Sequence, residues 1–268
     1  MINNKGLSLV EVLVAMIVGS IMVATMYFSF TVFSGTYLGI IAKVQVSKYL
    51  RNSLTAVSKD VRLAGYTSTI PSQSGVLLAA FPTMPNKIII RKGTYWNTNN
   101  LSYSSDSSSD VLDVIYDQDR ERGVVNSAPT RVRVSYALAR DDNLINPQTK
   151  DSFFKKRLTK CLTPECYNDN DHTYSGLAGF YDYQIIAGQG LEAFKVTPFS
   201  SSGVELPSSL ANQAAYLRIA ILFSSISNGD VHKTNQTQTF IVGDLRVDKT
   251  DKFFRDGASV LIYPRNIK

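Results

Sequence analysis

No proline occurs before Pro71 in this 268-residue chain. A proline inside a helix costs about 3 kcal/mol, so its absence leaves the first quarter of the chain free to run as one helix. Charge is equally scarce there: from Gly6 to Ala42 the only Asp, Glu, Lys or Arg is Glu11. Histidine occurs only as His172 and His232, and cysteine only as Cys161 and Cys166. That is too few for a zinc site with a second cysteine pair. There is no GxSxG, no phosphate-binding Gly-Lys-Ser/Thr loop, no HExxH and no Cys–His partnership, which excludes the common enzyme classes. Asp169-Asn170-Asp171-His172-Thr173 and Asp117-Gln118-Asp119-Arg120-Glu121 alternate acidic side chains as calcium loops do. Both lack the Gly at the sixth position and the Glu at the twelfth, so turn chemistry is the better reading. The chain therefore reads as non-catalytic, with no metal and no cofactor.

What is present begins with Lys5 to Met26, a run whose twenty-odd residues make a helix of about 30 Å, the thickness of a bilayer core. Glu11 inside it has two readings from residue type alone: a carboxylate tolerated near lipid headgroups, or one with a partner and a task. Tyr27 to Ala42 continues the apolar run, with Gly35 and Gly39 as weak points. From Val46 the pattern changes. Leu50, Leu54, Val57, Val61 and Ala64 recur at alternating four and three spacing, with Lys48, Arg51, Lys59 and Arg62 between them, which predicts an amphipathic helix. Gly65 is its expected stop. One helix of about 55 residues, about 80 Å long, follows from these spans.

After Gly65, short apolar stretches alternate with turn-rich loops. Strands are expected at residues 87–91, 111–116, 131–138, 183–187, 193–197, 216–223, 239–245 and 259–263. In the third, Val132, Val134, Tyr136 and Leu138 share one face, and Arg131, Arg133 and Ser135 share the other, expected to be wet. Asn97 to Asp110 is expected as a Ser/Asn/Asp-rich loop. Asp151 to Lys160 interleaves Phe153 and Phe154 with Lys155, Lys156 and Arg157, and is expected as a short helix with a solvated basic face; a grip on single-stranded DNA or an acidic partner is the competing reading. Strands without intervening helices predict an α+β fold, a long amino-terminal helix packed on a mainly antiparallel β-sheet. The net charge of +6 permits contact with anionic lipid, a cell surface or nucleic acid, although a solvated basic surface explains it as well.

Gly6-Leu7-Ser8-Leu9-Val10-Glu11, behind a short polar leader ending in Lys5, resembles the type IV prepilin signal. The resemblance implies a leader at 1–6, a transmembrane and filament-core helix at 7–42, an amphipathic half at 43–65 and a periplasmic β-rich domain at 66–268. It implies cleavage by a prepilin peptidase between Gly6 and Leu7, N-methylation of Leu7, and a Glu11 that meets the amine of a neighbouring subunit. It also sets the orientation, amino end in the cytoplasm, against the positive-inside count, since Lys43, Lys48 and Arg51 follow the span. Major pilins usually carry a proline in the first half of this helix; here Phe28 and its neighbours stand instead. Asp60-Val61-Arg62-Leu63-Ala64-Gly65-Tyr66 resembles the helix end of PilW-type minor pilins, and the segments beginning at Leu191 and Tyr216 and the terminal Val260 to Asn266 fall in the order such proteins show. What this implies is a minor pilin that starts type IV pilus assembly near the tip, with other minor pilins and the major pilin as partners. A J-type minor pseudopilin of type II secretion and a membrane-tethered adhesive or DNA-binding module are the alternatives. In such an oxidising compartment Cys161 and Cys166 are expected to form a disulfide worth about 2 kcal/mol. Mass spectrometry of the mature amino terminus checks the processing: Leu7 is expected to be first and N-methylated, and Gly6→Val is expected to block cleavage. A retained Met1 in a strain with active prepilin peptidase contradicts the assignment.

Overall fold

The computed structural model describes residues 8–68, 84, 87–97, 102–118, 130–140, 152–160, 182–187, 190–225, 236–251 and 253–266. A single unbroken helix, α1 (Leu9–Leu63), spans 55 residues. Its carboxyl half buries Ala42, Val46, Leu50, Ser53, Val57, Asp60 and Val61, a stripe on one helical face that continues in Ala64. Gly65 ends it with φ of 74°, in the left-handed region that glycine occupies without strain. Its N–H donates to the Ile115 carbonyl at 2.9 Å, and a Cβ there would sit 2.8 Å from Lys87 Cδ and 2.9 Å from the Asn266 oxygen.

The stripe lies on two sheets. The larger joins β1 (Ile88–Arg91), β4 (Val111–Gln118), β5 (Thr130–Arg140), β6 (Phe153–Lys160) and β7 (Asp182–Ala187) in antiparallel order. A hairpin of β2 (Thr94–Asn97) and β3 (Ser102–Ser105) joins β5 beyond the start of β4, through a short parallel register of Trp96 with Ala139. The smaller sheet is antiparallel, with β9 (Tyr216–Ser224) between β8 (Leu191–Phe199) and β12 (Arg255–Ile262). Strands β10 (Gln236–Val242) and β11 (Leu245–Asp251) form a separate hairpin. Inward side chains from both sheets, among them Leu112, Val114, Val134, Tyr136, Ile219, Ile221 and Phe223, form one continuous core with Val57 and Val61 of α1. Each such side chain contributes about 1.5–3 kcal/mol through burial. The expected α+β architecture is thus the observed one.

Several local expectations are corrected. Residues 153–160 form a strand, not a helix: Phe154 points into the core against Tyr136 and Phe194, while Arg157, on the opposite face, lies over the Trp96 ring at 5.6 Å. A period of two is what separates these neighbours. The second face of β5 is dry. Arg131 and Arg133 are buried because carboxylates on β4 meet them, Asp117 at 2.8 Å and Asp113 at 2.6 Å, with Arg91 also 2.9 Å from Asp113. Burial would raise the Asp113 carboxyl, but Arg133 and Arg91 outweigh it and hold the group below the usual carboxylate range. The expected loop at 97–110 contains the end of β2 and all of β3, joined by an edge-on contact between Trp96 and Tyr103 at 5.0 Å. The expected single strand at 239–245 is a hairpin, turning at Gly243, φ 62°, and Asp244. This hairpin covers the outer face of β9, where Ala220 and Leu222 pack with Val242 and Leu245.

A buried carboxylate fastens α1 to the larger sheet. Asp60 accepts hydrogen bonds from the hydroxyls of Tyr136 and, at 3.2 Å, Tyr116, and pairs with Lys156 Nζ at 2.6 Å. Desolvation first, and then the Asp60 charge, push both phenols above the ordinary tyrosine range, so they stay neutral donors. Asp60→Ala would leave the half-buried Lys156 ammonium without its carboxylate and the Tyr116 hydroxyl without its acceptor, while Tyr136 keeps the Ala56 carbonyl at 3.0 Å. The expected cost is about 2–3 kcal/mol, read as a lowered unfolding midpoint, against less than about 0.5 kcal/mol for Lys59→Ala on the exposed face. Equal effects in the two variants would contradict a fastening role for Asp60.

Candidate functional site

The amino half of α1 carries the chemistry that the domain does not use. From Leu9 to Ile41 no side chain is buried, and Leu9, Val10, Met16, Tyr27, Phe28, Phe30 and Phe33 are each 67–79 % exposed. Apolar residues cover the whole circumference rather than a stripe. A helix apolar all round belongs in lipid or among other helices, not in water. Among the described residues this is the one helix long and apolar enough to cross a membrane.

Its polar positions fit the same surroundings. The hydroxyls of Ser20, Thr25, Ser29, Thr31, Ser34 and Thr36 each donate to a carbonyl three or four residues earlier, at 2.8–3.1 Å. These are all the Ser and Thr residues between Leu9 and Ala42. None of these Ser and Thr hydroxyls needs water, which is the condition for a polar group in hydrocarbon. Gly19, Gly35 and Gly39 have nothing within 4 Å of the position a Cβ would take, so their faces are open to a close neighbour.

Glu11 is the one charge in this surface. It sits in the first turn, where the positive end of the helix dipole favours a carboxylate. Ser8 precedes it as the helix cap: its backbone is extended (φ −72°, ψ 147°), and its Oγ accepts the Glu11 N–H at 3.3 Å. Ser8 is thus more than a letter of the Gly6-to-Glu11 motif. The signal for a cap was there, a serine directly before an apolar-periodic run with an acidic residue three positions on. Gly6, Leu7, Cys161, Cys166 and the Asp169–Thr173 stretch lie outside the described residues. Asp117, the first residue of the other acidic stretch, is occupied by Arg131 and by the Ser68 N–H at 3.2 Å. Of the basic run in β6, Lys156 is bound to Asp60, Arg157 is buried, and burial lowers the Lys155 ammonium from its ordinary value. The run is therefore consumed in packing rather than displayed as a nucleic-acid surface. Among the described residues no group of His, Cys, Asp and Glu could hold a metal ion.

No curated protein matches the chain. Among solved structures, a type IV-like pilin from Thermus thermophilus aligns with a TM-score of 0.43 and 12 % identity, covering 83 % of this chain and 97 % of that one. Residues 1–27 match the family model of the prokaryotic N-terminal methylation motif, and the apolar, single-carboxylate helix described above therefore opens on a type IV prepilin-like signal.

Proposed function

We propose that the chain is a PilW-type minor pilin, a non-catalytic subunit that starts type IV pilus assembly and sits near the pilus tip. The observation that carries this reading is the exposed amino half of α1, apolar on every side, internally satisfied at every Ser and Thr, and marked by Glu11 alone. Prepilin peptidase cuts between Gly6 and Leu7, and residues 7–42 first span the inner membrane once and then join the filament core. The domain from residue 66 lies in the periplasm, where Cys161 and Cys166 close a short disulfide loop. Glu11 binds the methylated amine of an adjacent subunit's first residue, a partner that relieves the cost of a carboxylate among apolar side chains, about 2.5–3.5 kcal/mol at a bilayer centre. A soluble domain of about 200 residues is bulky for a subunit stacked along a thin fibre. At the tip there is no subunit above it to clash with.

The experiment is deletion of the gene and complementation with Glu11→Leu. Deletion is expected to reduce surface pili sharply, to leave type II export intact, and to be relieved when retraction is disabled. The Glu11→Leu chain is expected to be cleaved, inserted and folded as the parent is, and to lose its crosslinks to the other pilins. Failed export with normal pili would favour the J-type pseudopilin. Normal pili and normal export together would favour a tethered binding module.

A further inference from the structure

At the carboxyl end of α1 an open groove of about 740 Å³ runs between the helix and the terminal segment at Arg265 and Asn266. Its lining includes Leu54, Leu63 and Tyr66, with Lys59, Arg62 and Arg265 as its cations. Among the described residues none of these three has a carboxylate partner, whereas Asp60, Asp110, Asp113, Asp117, Glu192 and Asp251 are each held in an ion pair. The wall is fixed in place. Arg265 donates its N–H to the Arg62 carbonyl at 3.4 Å, Lys87 Nζ reaches the Asn266 oxygen at 3.4 Å, and Gly65 leaves no space between them. The groove is preformed and positive, with Leu54 and Leu63 as its aliphatic lining and Thr55 and Ser58 beside them.

We infer that this groove binds an extended acidic segment of a partner protein, one that alternates carboxylates with an apolar side chain. Along α1 the lining runs from Leu54 to Leu63, about 14 Å, the reach of about four residues of extended chain. Carboxylates on one side of such a segment meet the rim cations, and the intervening side chain enters between Leu54 and Leu63. Lipid headgroups are too far away to be the occupant. Lys59 lies about 25 Å along the helix from Ala42, the first buried residue, and exposed charges separated by more than about 8 Å are largely screened at physiological salt. A second copy of the chain is disfavoured by its own net charge of +6. Single-stranded nucleic acid calls for stacking surfaces, and among the described residues the only aromatic side chain lining the groove is Tyr66. That the partner is a fellow subunit rests on the proposed function; the preference for an acidic segment does not.

The test uses the full chain in detergent micelles and a fluorescein-labelled Glu-Leu-Glu-Leu-Glu peptide, followed by anisotropy. A Lys-Leu-Lys-Leu-Lys peptide and a single-stranded oligonucleotide serve as comparison probes. The acidic peptide is expected to bind, to weaken as salt rises, and to lose about tenfold or more in affinity in Lys59→Glu and in Arg265→Glu. Unchanged unfolding midpoints show that both variants fold, and Lys59→Gln should give a smaller loss than Lys59→Glu. No binding, or binding equal in all variants, overturns the inference. So does an oligonucleotide that binds more tightly than the peptide and displaces it. Correct cleavage at Gly6 and Glu11-dependent crosslinking with failed peptide binding would remove this inference alone. Peptide binding by a chain that is never processed would remove the proposed function instead.

Discussion

A carboxylate buried between a helix and a sheet is the constraint on which the rest of this structure depends. Asp60 is the one charged residue among the buried positions of α1, and its surroundings contain only groups that donate to it. Hydrophobic burial alone would let the helix slide or rotate on the sheets, since Val, Leu and Ala contacts are non-directional. A charge that must find one ammonium and two phenols has a single acceptable position. It sets the rotation of the docked half and, because α1 is unbroken, the direction in which the exposed half leaves the domain.

The same helix meets two surroundings and solves a different problem in each. In its carboxyl half the protein supplies the covering, and the cations Lys43, Lys48, Arg51, Lys59 and Arg62 all stay exposed while Ser53 and Asp60 are buried on the docked face. In its amino half nothing among the described residues covers it, the side chains are apolar on all sides, and each Ser or Thr hydroxyl donates to a carbonyl of the helix itself. The boundary is sharp. Ala42 is the first buried residue, and Lys43, which lies over the Phe254 ring, is the first cation after Glu11.

Elements whose side chains follow one period over a long span were legible from the residues alone: the length of α1, its stop at Gly65, and β5 with its Val132, Val134, Tyr136, Leu138 face. The errors came where a polar side chain was read as solvated. Arg131 and Arg133 look like a wet face until Asp113 and Asp117 are set opposite them, and that register belongs to the pairing of β4 with β5 rather than to either strand. Lys155, Lys156 and Arg157 look like a helix surface because charge hides the alternation of Phe154 and Leu158 beneath it. At Gly243-Asp244 the turn signal was present, but the apolar residues on either side masked it. Asp60 could have been located, since it falls three residues after Val57 and four before Ala64, on the docked face. Its partners could not, because they come from three other strands or positions distant in the chain.

The continuity of α1 has a mechanical consequence. With no proline or kink between Leu9 and Leu63, tension applied at the amino end travels along the backbone hydrogen bonds as through a rod and enters the domain only where the helix is docked. Pulling along that axis loads the docked face in shear, so that Val46, Leu50, Val57, Asp60 and Val61 resist together instead of peeling away one after another. The joint is thus strongest in the direction of the helix axis and weakest to a force that lifts α1 from the sheets.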